Sequence, residues 1–321
     1  MPVDDADGAA VNSAGMRISA DGAAGLTGAG LTGSAVVGTR ADGAGGTCVH
    51  TLRGDGPIAL REAAGAVHLV GAAAGPIGGD RLSLRCEVST GSVLRLRSSA
   101  SALLLPGAGG EWSSFTLDAE VGSGALLDHG VEPMVAAAGC RHRQRTVVSM
   151  ADGASLRWRE EIVLGRHGEA PGECVLSLDV TYGGVPLLRH ELAIGDGHTS
   201  PAILGSARAV GSVLLAGPSW AADADGDPAG GAAGRAAGGV AGGAACGVAC
   251  GMAGSAARVG LPYAEPGLVI TPLAGPGVLV LALADGAAPL RRALDAAEAR
   301  LAATPPAADL PPLTRRHPTS R

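Results

Sequence analysis

The stretch RLSLRCEV, residues 81–88, alternates apolar and polar side chains without a break. Leu82, Leu84, Cys86 and Val88 point one way; Ser83, Arg85 and Glu87 point the other. A period of two puts one face of a strand against a core and the other toward water. The same grammar recurs along the chain. RHRQRTVVSM and SLRWREEIVLG flank ADGA, CVLSLDVTY and VPLLRHELAI flank GG, and GLVITPLAGPGVLVLALAD holds two further apolar runs. The first two pairs read as hairpins, as does RLSLRCEV with VLRLRSSASALLL around STGS, and the last stretch supplies two more strands. A helical period occurs only near the end. In PLRRALDAAEARLAA, Leu290, Leu294, Ala297 and Leu301 share one face, Arg291, Asp295 and Glu298 lie off it, Pro289 suits the first turn, and Asp285 precedes it. The expected fold is mainly β: layered antiparallel or mixed sheets with hairpins and a C-terminal helix.

Composition divides the chain. Residues 1–46 are rich in Ala, Gly and Asp and have too little large apolar surface to offset ordering entropy, so they read as a flexible low-complexity segment, with Met16–Ile18 and Val36–Val37 marking short edge strands at most. Residues 47–303 read as one β domain, interrupted by a Gly/Ala-rich insert at about 217–260, and residues 304–321 as a Pro-rich tail. Within the insert, residues 236–257 carry no charge, but they are nearly all Gly and Ala. Insertion into lipid is driven by larger side chains, so this is not read as a membrane span.

Several function classes are excluded. The net charge is −6 and all 24 basic residues are Arg. Without Lys there is no phosphate-binding GxxxxGK[ST] loop, and the acidic balance opposes general nucleic-acid binding. None of the six cysteines forms a CxxC pair, and the acidic N-terminus lacks the basic-then-apolar form of a secretory leader, so a reduced, cytoplasmic protein is expected. No HExxH or GxSxG occurs. Glu160 and Glu161 are consecutive on a strand and face opposite sides, so they cannot work as one acid–base pair. No enzyme is specified.

Weaker features remain. Asp128-His129, His142, His167-Gly-Glu169 and His190-Glu191 are separate polar spots, each able to touch a cation in passing or simply to be solvated. Cys246, Cys250 and Met252 sit in the Gly/Ala insert without preorganisation. Arg141, Arg143 and Arg145 alternate with His142 and Gln144, giving one arginine-rich strand face that suits an acidic protein partner or water. Gly78-Gly79-Asp80 precedes a strand, not a helix, so it is no phosphate cradle; from the residues alone it reads as a turn.

Four segments, in order, resemble the urease accessory protein UreD (UreH) family: GPIGGDRLSLRCEVSTGSVLRLRSSAS at 75–101, the block from LLDHGVEP to LGRHGE at 126–169, GVPLLRHELAI at 184–194, and GPGVLVLALADGAAPLRRALDAAEARL at 275–301. The likeness covers about 47–216 and 266–303. It implies a non-enzymatic scaffold of layered sheets, needed for nickel insertion into urease. The implied partners are urease apoprotein and UreF, and through UreF the nickel-carrying GTPase UreG, with no nucleic acid and no membrane. It implies nickel in transit through a polar passage and no stably bound cofactor. On this resemblance Asp80, Glu132 and Glu160 are the transit candidates, and Gly78, Gly79, Arg81 and Arg166 the structural or interface candidates. The alternative is a β-rich protein-binding module with no metal role.

Overall fold

In the computed structural model, residues 30–195, 204–220 and 262–302 are described. The alternating stretches are strands, in chain order β1 (Thr32–Ala41), β2 (Thr47–Gly54), β3 (Ile58–Ala63), β4 (Ala66–Gly71), β5 (Arg81–Val88), β6 (Val93–Ser98), β7 (Ala102–Leu104), β8 (Ser113–Val121), β9 (Leu126–Gly130), β10 (Met134–Ala136), β11 (Arg141–Met150), β12 (Ser155–Leu164), β13 (Glu173–Tyr182), β14 (Val185–Ile194), β15 (Ala209–Ala216), β16 (Tyr263–Glu265), β17 (Leu268–Pro272) and β18 (Gly277–Ala284), followed by helix α1 (Ala287–Ala302). They form two sheets. One has seven strands in the order β14-β13-β11-β8-β5-β1-β2. The other has eleven, with the path β16-β17-β18-β15-β12-β9-β6-β4-β3 and β10 and β7 joined beside β12.

Two of the expected hairpins do not form. β5 and β6 lie in different sheets, and so do β11 and β12; the STGS and ADGA turns carry the chain across the sandwich. As a result β1, β5, β8, β11 and β13 run parallel to one another, with β2 and β14 antiparallel at the two edges. The corners stack: Gly91 N–H donates to the Ser123 carbonyl at 3.0 Å and Gly124 N–H to the Gly153 carbonyl at 3.2 Å. Turn residues specify a local reversal, not which sheet receives the next strand. In a crossing of this kind the amides of one corner are satisfied by the next corner rather than by a ladder partner. The GG turn behaves as expected. Gly183 (φ 57°) and Gly184 (φ 79°) make the two-residue left-handed turn that joins β13 to β14 antiparallel. β17 and β18 pair likewise.

The fold begins earlier than residue 47. β1 is no edge strand: it lies between β2 and β5, with Ala35 and Val37 fully buried, because its small alternating side chains fit a crowded inner layer. Met16–Ile18, most of the 217–260 insert with Cys246, Cys250 and Met252, and the 304–321 tail lie outside the described residues. No helix among the described residues is long and apolar enough to cross a membrane.

With only six aromatic residues, the interior is aliphatic. Leu84, Leu94, Leu96, Leu117 and Leu127 fill the space between the sheets. A second apolar layer lies on the outer face of the larger sheet, where α1 buries Leu290, Leu294, Ala297 and Leu301 as its period required. Gly211 permits that approach, since a Cβ there would meet Leu294 at 2.8 Å. The helix makes β12 a strand covered on both sides. Its outward Arg159 bridges Glu161 (2.8 Å), Asp295 (2.5 Å) and Glu298 (2.9 Å), while Arg157 holds Glu298 (2.6 Å) and Asp128 (2.9 Å).

Candidate functional site

The alternation of β11 sends Arg141, Arg143 and Arg145 outward and His142, Gln144 and Thr146 inward, where all three are buried. Facing them from β12 are Trp158 and Glu160, also buried. A polar seam thus runs through an otherwise aliphatic sandwich. Gln144 Nε2 donates to Glu160 Oε1 at 2.6 Å. Burial pushes the Glu160 carboxyl up to about 7 against the opposing effect of that hydrogen bond. His129, from β9, stacks flat on Trp158 at 3.7 Å, and its Nδ1 donates to the Arg159 carbonyl at 3.2 Å. His142 Nδ1 lies 2.9 Å from Ser113 Oγ, which itself donates to the Arg141 carbonyl at 3.3 Å. The arrangement that satisfies both bonds places the proton on His142 Nδ1. Burial drives His129 down to about 3 and His142 to about 4, so both rings are neutral at physiological pH, each with an unprotonated Nε2.

The seam opens onto space. A cavity of about 400 Å³ is lined by Asp80, His129, Glu132, His142, Gln144 and Glu160 among leucines. A second, of about 350 Å³, is lined by Glu160, Glu161, His190, Ser212 and Glu265, again with leucines. Glu160 borders both. Two buried polar atoms along the seam have no protein partner among the described residues, His142 Nε2 and Thr146 Oγ1, while the Trp158 indole N–H is directed at Glu160. A buried polar atom left unpaired costs about 1–3 kcal/mol, so such atoms ask for water or a ligand. Among the described residues no three His, Cys, Asp or Glu side chains converge to hold a metal ion. What the seam offers is separate nitrogen and oxygen donors in series.

The residues singled out in the sequence fall in different places. The Gly78-Gly79-Asp80 turn is a packed junction. Asp80 is buried, accepting from Leu31 N–H at 2.7 Å with Oδ1 and from Ile77 N–H at 2.8 Å with Oδ2. It thereby ties the entries of β1 and β5 together, and it also lines the first cavity. Gly79 has φ 98°, and a Cβ on Gly78 would lie 2.4 Å from the Gly107 nitrogen. Arg81 N–H donates to the Leu31 carbonyl at 2.8 Å, with the side chain on the exposed face. Glu132 stands at the cavity edge, paired with Arg291 at 2.7 Å. Arg166 is exposed and pairs with Glu169 at 2.5 Å, away from both cavities. Of the separate polar spots, Asp128 and His129 face opposite ways: Asp128 is held by Arg97 and Arg157. Sequence reasoning saw His129 and His142 singly. It missed their convergence with Gln144 and Glu160, for which the available signal was a strand with polar residues on both faces.

A family model described as UreD urease accessory protein matches residues 31–317. The chain is similar to the urease accessory protein UreD of Parafrankia sp. (strain EAN1pec), 39% identical over 282 residues that make up 79% of this chain and 83% of the relative. It is 43% identical over 250 residues to the UreD of Frankia alni, 72% of each chain. It is also 38% identical over 268 residues to urease accessory protein UreD 3 of Streptomyces griseus, 80% of this chain and 91% of that one.

Proposed function

The chain belongs to the UreD urease accessory protein family, and on that footing we propose that it acts in urease maturation as a non-catalytic, cytoplasmic scaffold that lets nickel pass through its interior. Its partners in this reading are urease apoprotein on one side and UreF on the other, with UreG reached through UreF. The observation that carries the proposal is the seam: neutral imidazole nitrogens of His129 and His142, with Glu160 standing between two cavities. Ni²⁺ is a borderline cation that takes imidazole and carboxylate donors. Donors met one or two at a time bind it weakly enough to release it, whereas a closed four-ligand cage would retain it. Glu160, with its carboxyl near 7, gives up a proton as a cation arrives. In the same reading Asp80 shapes the cavity, both of its oxygens being held by backbone amides. Gly78, Gly79 and Arg81 support that turn, Glu132 marks the cavity edge, and Arg166 belongs to an interface.

The test is co-expression with urease subunits and the other accessory proteins, with and without this chain. Omission should lower both nickel content and urease activity. A double variant, His142→Gln with Glu160→Gln, should still be recovered with the partners yet deliver less nickel. Unchanged nickel content on omission would remove the proposal; unchanged nickel content in the double variant alone would remove the seam as the route.

A further inference from the structure

The arginine-rich face of β11 is not used by the seam, which lies behind it. Arg141 and Arg143 both set their guanidinium over the Trp112 ring, at 4.9 and 5.0 Å. Arg141 is also paired with Glu173 at 2.7 Å. Arg143 is exposed and, among the described residues, has no carboxylate within ion-pair reach; Arg81 is in the same position. Arg145 meets only Asp179, at 3.8 Å, and is 62% exposed. Elsewhere on this sheet Arg85 is satisfied by Glu87 and Glu120. Arg40, Arg53 and Arg189 on the same face also lack a carboxylate partner among the described residues, but they sit on other strands and in other rows, whereas Arg81, Arg143 and Arg145 lie together beside Trp112.

The register sets their spacing. Arg81 and Arg143 are both strand partners of Ser114, so they flank one hydroxyl from two sides, and Arg145 and Ser83 flank Thr116 in the next row. Arg143 and Arg145 are two residues apart on one strand, about 6.6 Å, which is also the distance between same-side residues of any extended peptide. One row further, Asp118 and Asp179 flank Val147 and end the basic area. A nucleic-acid backbone needs a longer basic track and would run onto these carboxylates. Stacking on Trp112 restrains Arg143 before anything binds, which reduces the ordering cost of docking.

We propose that Arg81, Arg143 and Arg145, with Trp112 as platform, form a docking surface for an extended acidic segment of a protein partner, carrying carboxylates at alternate positions. Arg143 and Arg145 take successive carboxylates, and Arg81 and Ser114 close around the first.

The test uses the full chain and two capped peptides, Glu-Thr-Glu-Thr-Glu and Lys-Thr-Lys-Thr-Lys, with intrinsic tryptophan fluorescence and calorimetry as readouts. The glutamate peptide should bind saturably, perturb the fluorescence, and weaken as salt is raised. Arg143→Glu with Arg145→Glu should weaken it by about tenfold or more. Ser114→Glu, which leaves every guanidinium in place but puts a carboxylate between Arg81 and Arg143, should do likewise, whereas Arg85→Gln should change the affinity less than twofold. Circular dichroism checks that the variants fold. Equal binding of the lysine peptide, unchanged affinity in the charge-reversed variants, or no saturable binding up to about 1 mM would overturn the proposal. Tighter binding of a short single-stranded oligonucleotide than of the glutamate peptide would overturn it in favour of nucleic acid.

Discussion

Replacing Glu160 by Gln isolates the energetics of the seam. The carboxyl is 9% exposed and its pKa is raised by burial from 4.5 to about 7, while Gln144 donates to one of its oxygens. Between these two values the folded state holds a proton that the unfolded chain has lost, so stability falls as pH rises through this window. At about 1.4 kcal/mol per pH unit, the loss attributable to Glu160 is about 3 kcal/mol once the pH exceeds 7. Gln keeps the acceptor oxygen facing Gln144 and cannot ionise. The two proteins should therefore be nearly equally stable at pH 5, and Glu160→Gln the more stable by up to about 3 kcal/mol at pH 8. Urea unfolding of both proteins at intervals from pH 5 to 8, followed by circular dichroism, measures the difference. Taking the difference cancels the histidines, whose contributions run the opposite way in the acid range. A gap that stays constant with pH, or one that widens toward acid, would refute the assignment of a buried, proton-holding Glu160.

Three further outcomes are expected. His142→Gln removes a ring kept neutral by burial, with its pKa lowered from 6.5 to about 4; wild-type stability is lost as pH falls through that window, so the variant should gain on wild type by up to about 3 kcal/mol from pH 6.5 to 4, read from the same unfolding series. Arg159→Met leaves Glu161, whose side chain is 2% exposed, with only the distant Arg291 at 3.9 Å and removes the partner of Asp295, while Glu298 keeps Arg157; it should cost about 3 kcal/mol in chemical denaturation. Gly78→Ala drives a methyl to within 2.4 Å of the Gly107 nitrogen and should lower stability by about 1–3 kcal/mol, seen as an earlier thermal transition, whereas Gly286→Ala, where a Cβ meets nothing and φ is not positive, should shift the transition little.

The local pieces were legible in the sequence. Strict alternation located β5 and showed which of its residues meet the core, and Gly183-Gly184 announced a two-residue turn whose positive φ values other residues resist. Leu290, Leu294, Ala297 and Leu301 defined the buried face of the only long helix among the described residues. The arginine face of β11 followed from the same period of two. These features depend on neighbours a few residues apart, which a single sequence displays directly.

Pairing depended on the whole fold. STGS and ADGA are as compatible with a crossing as with a hairpin, because a turn sets local backbone angles while the receiving sheet is chosen by which apolar faces can be covered together. β1 looked too poor in large side chains to be internal, yet a strand between two close neighbours needs small ones. The seam shows the same division. That His142, Gln144 and Glu160 point inward follows from alternation. Their meeting across two sheets, with an orphaned imidazole nitrogen and a cavity on either side of Glu160, exists only because the chain crosses the sandwich between β11 and β12.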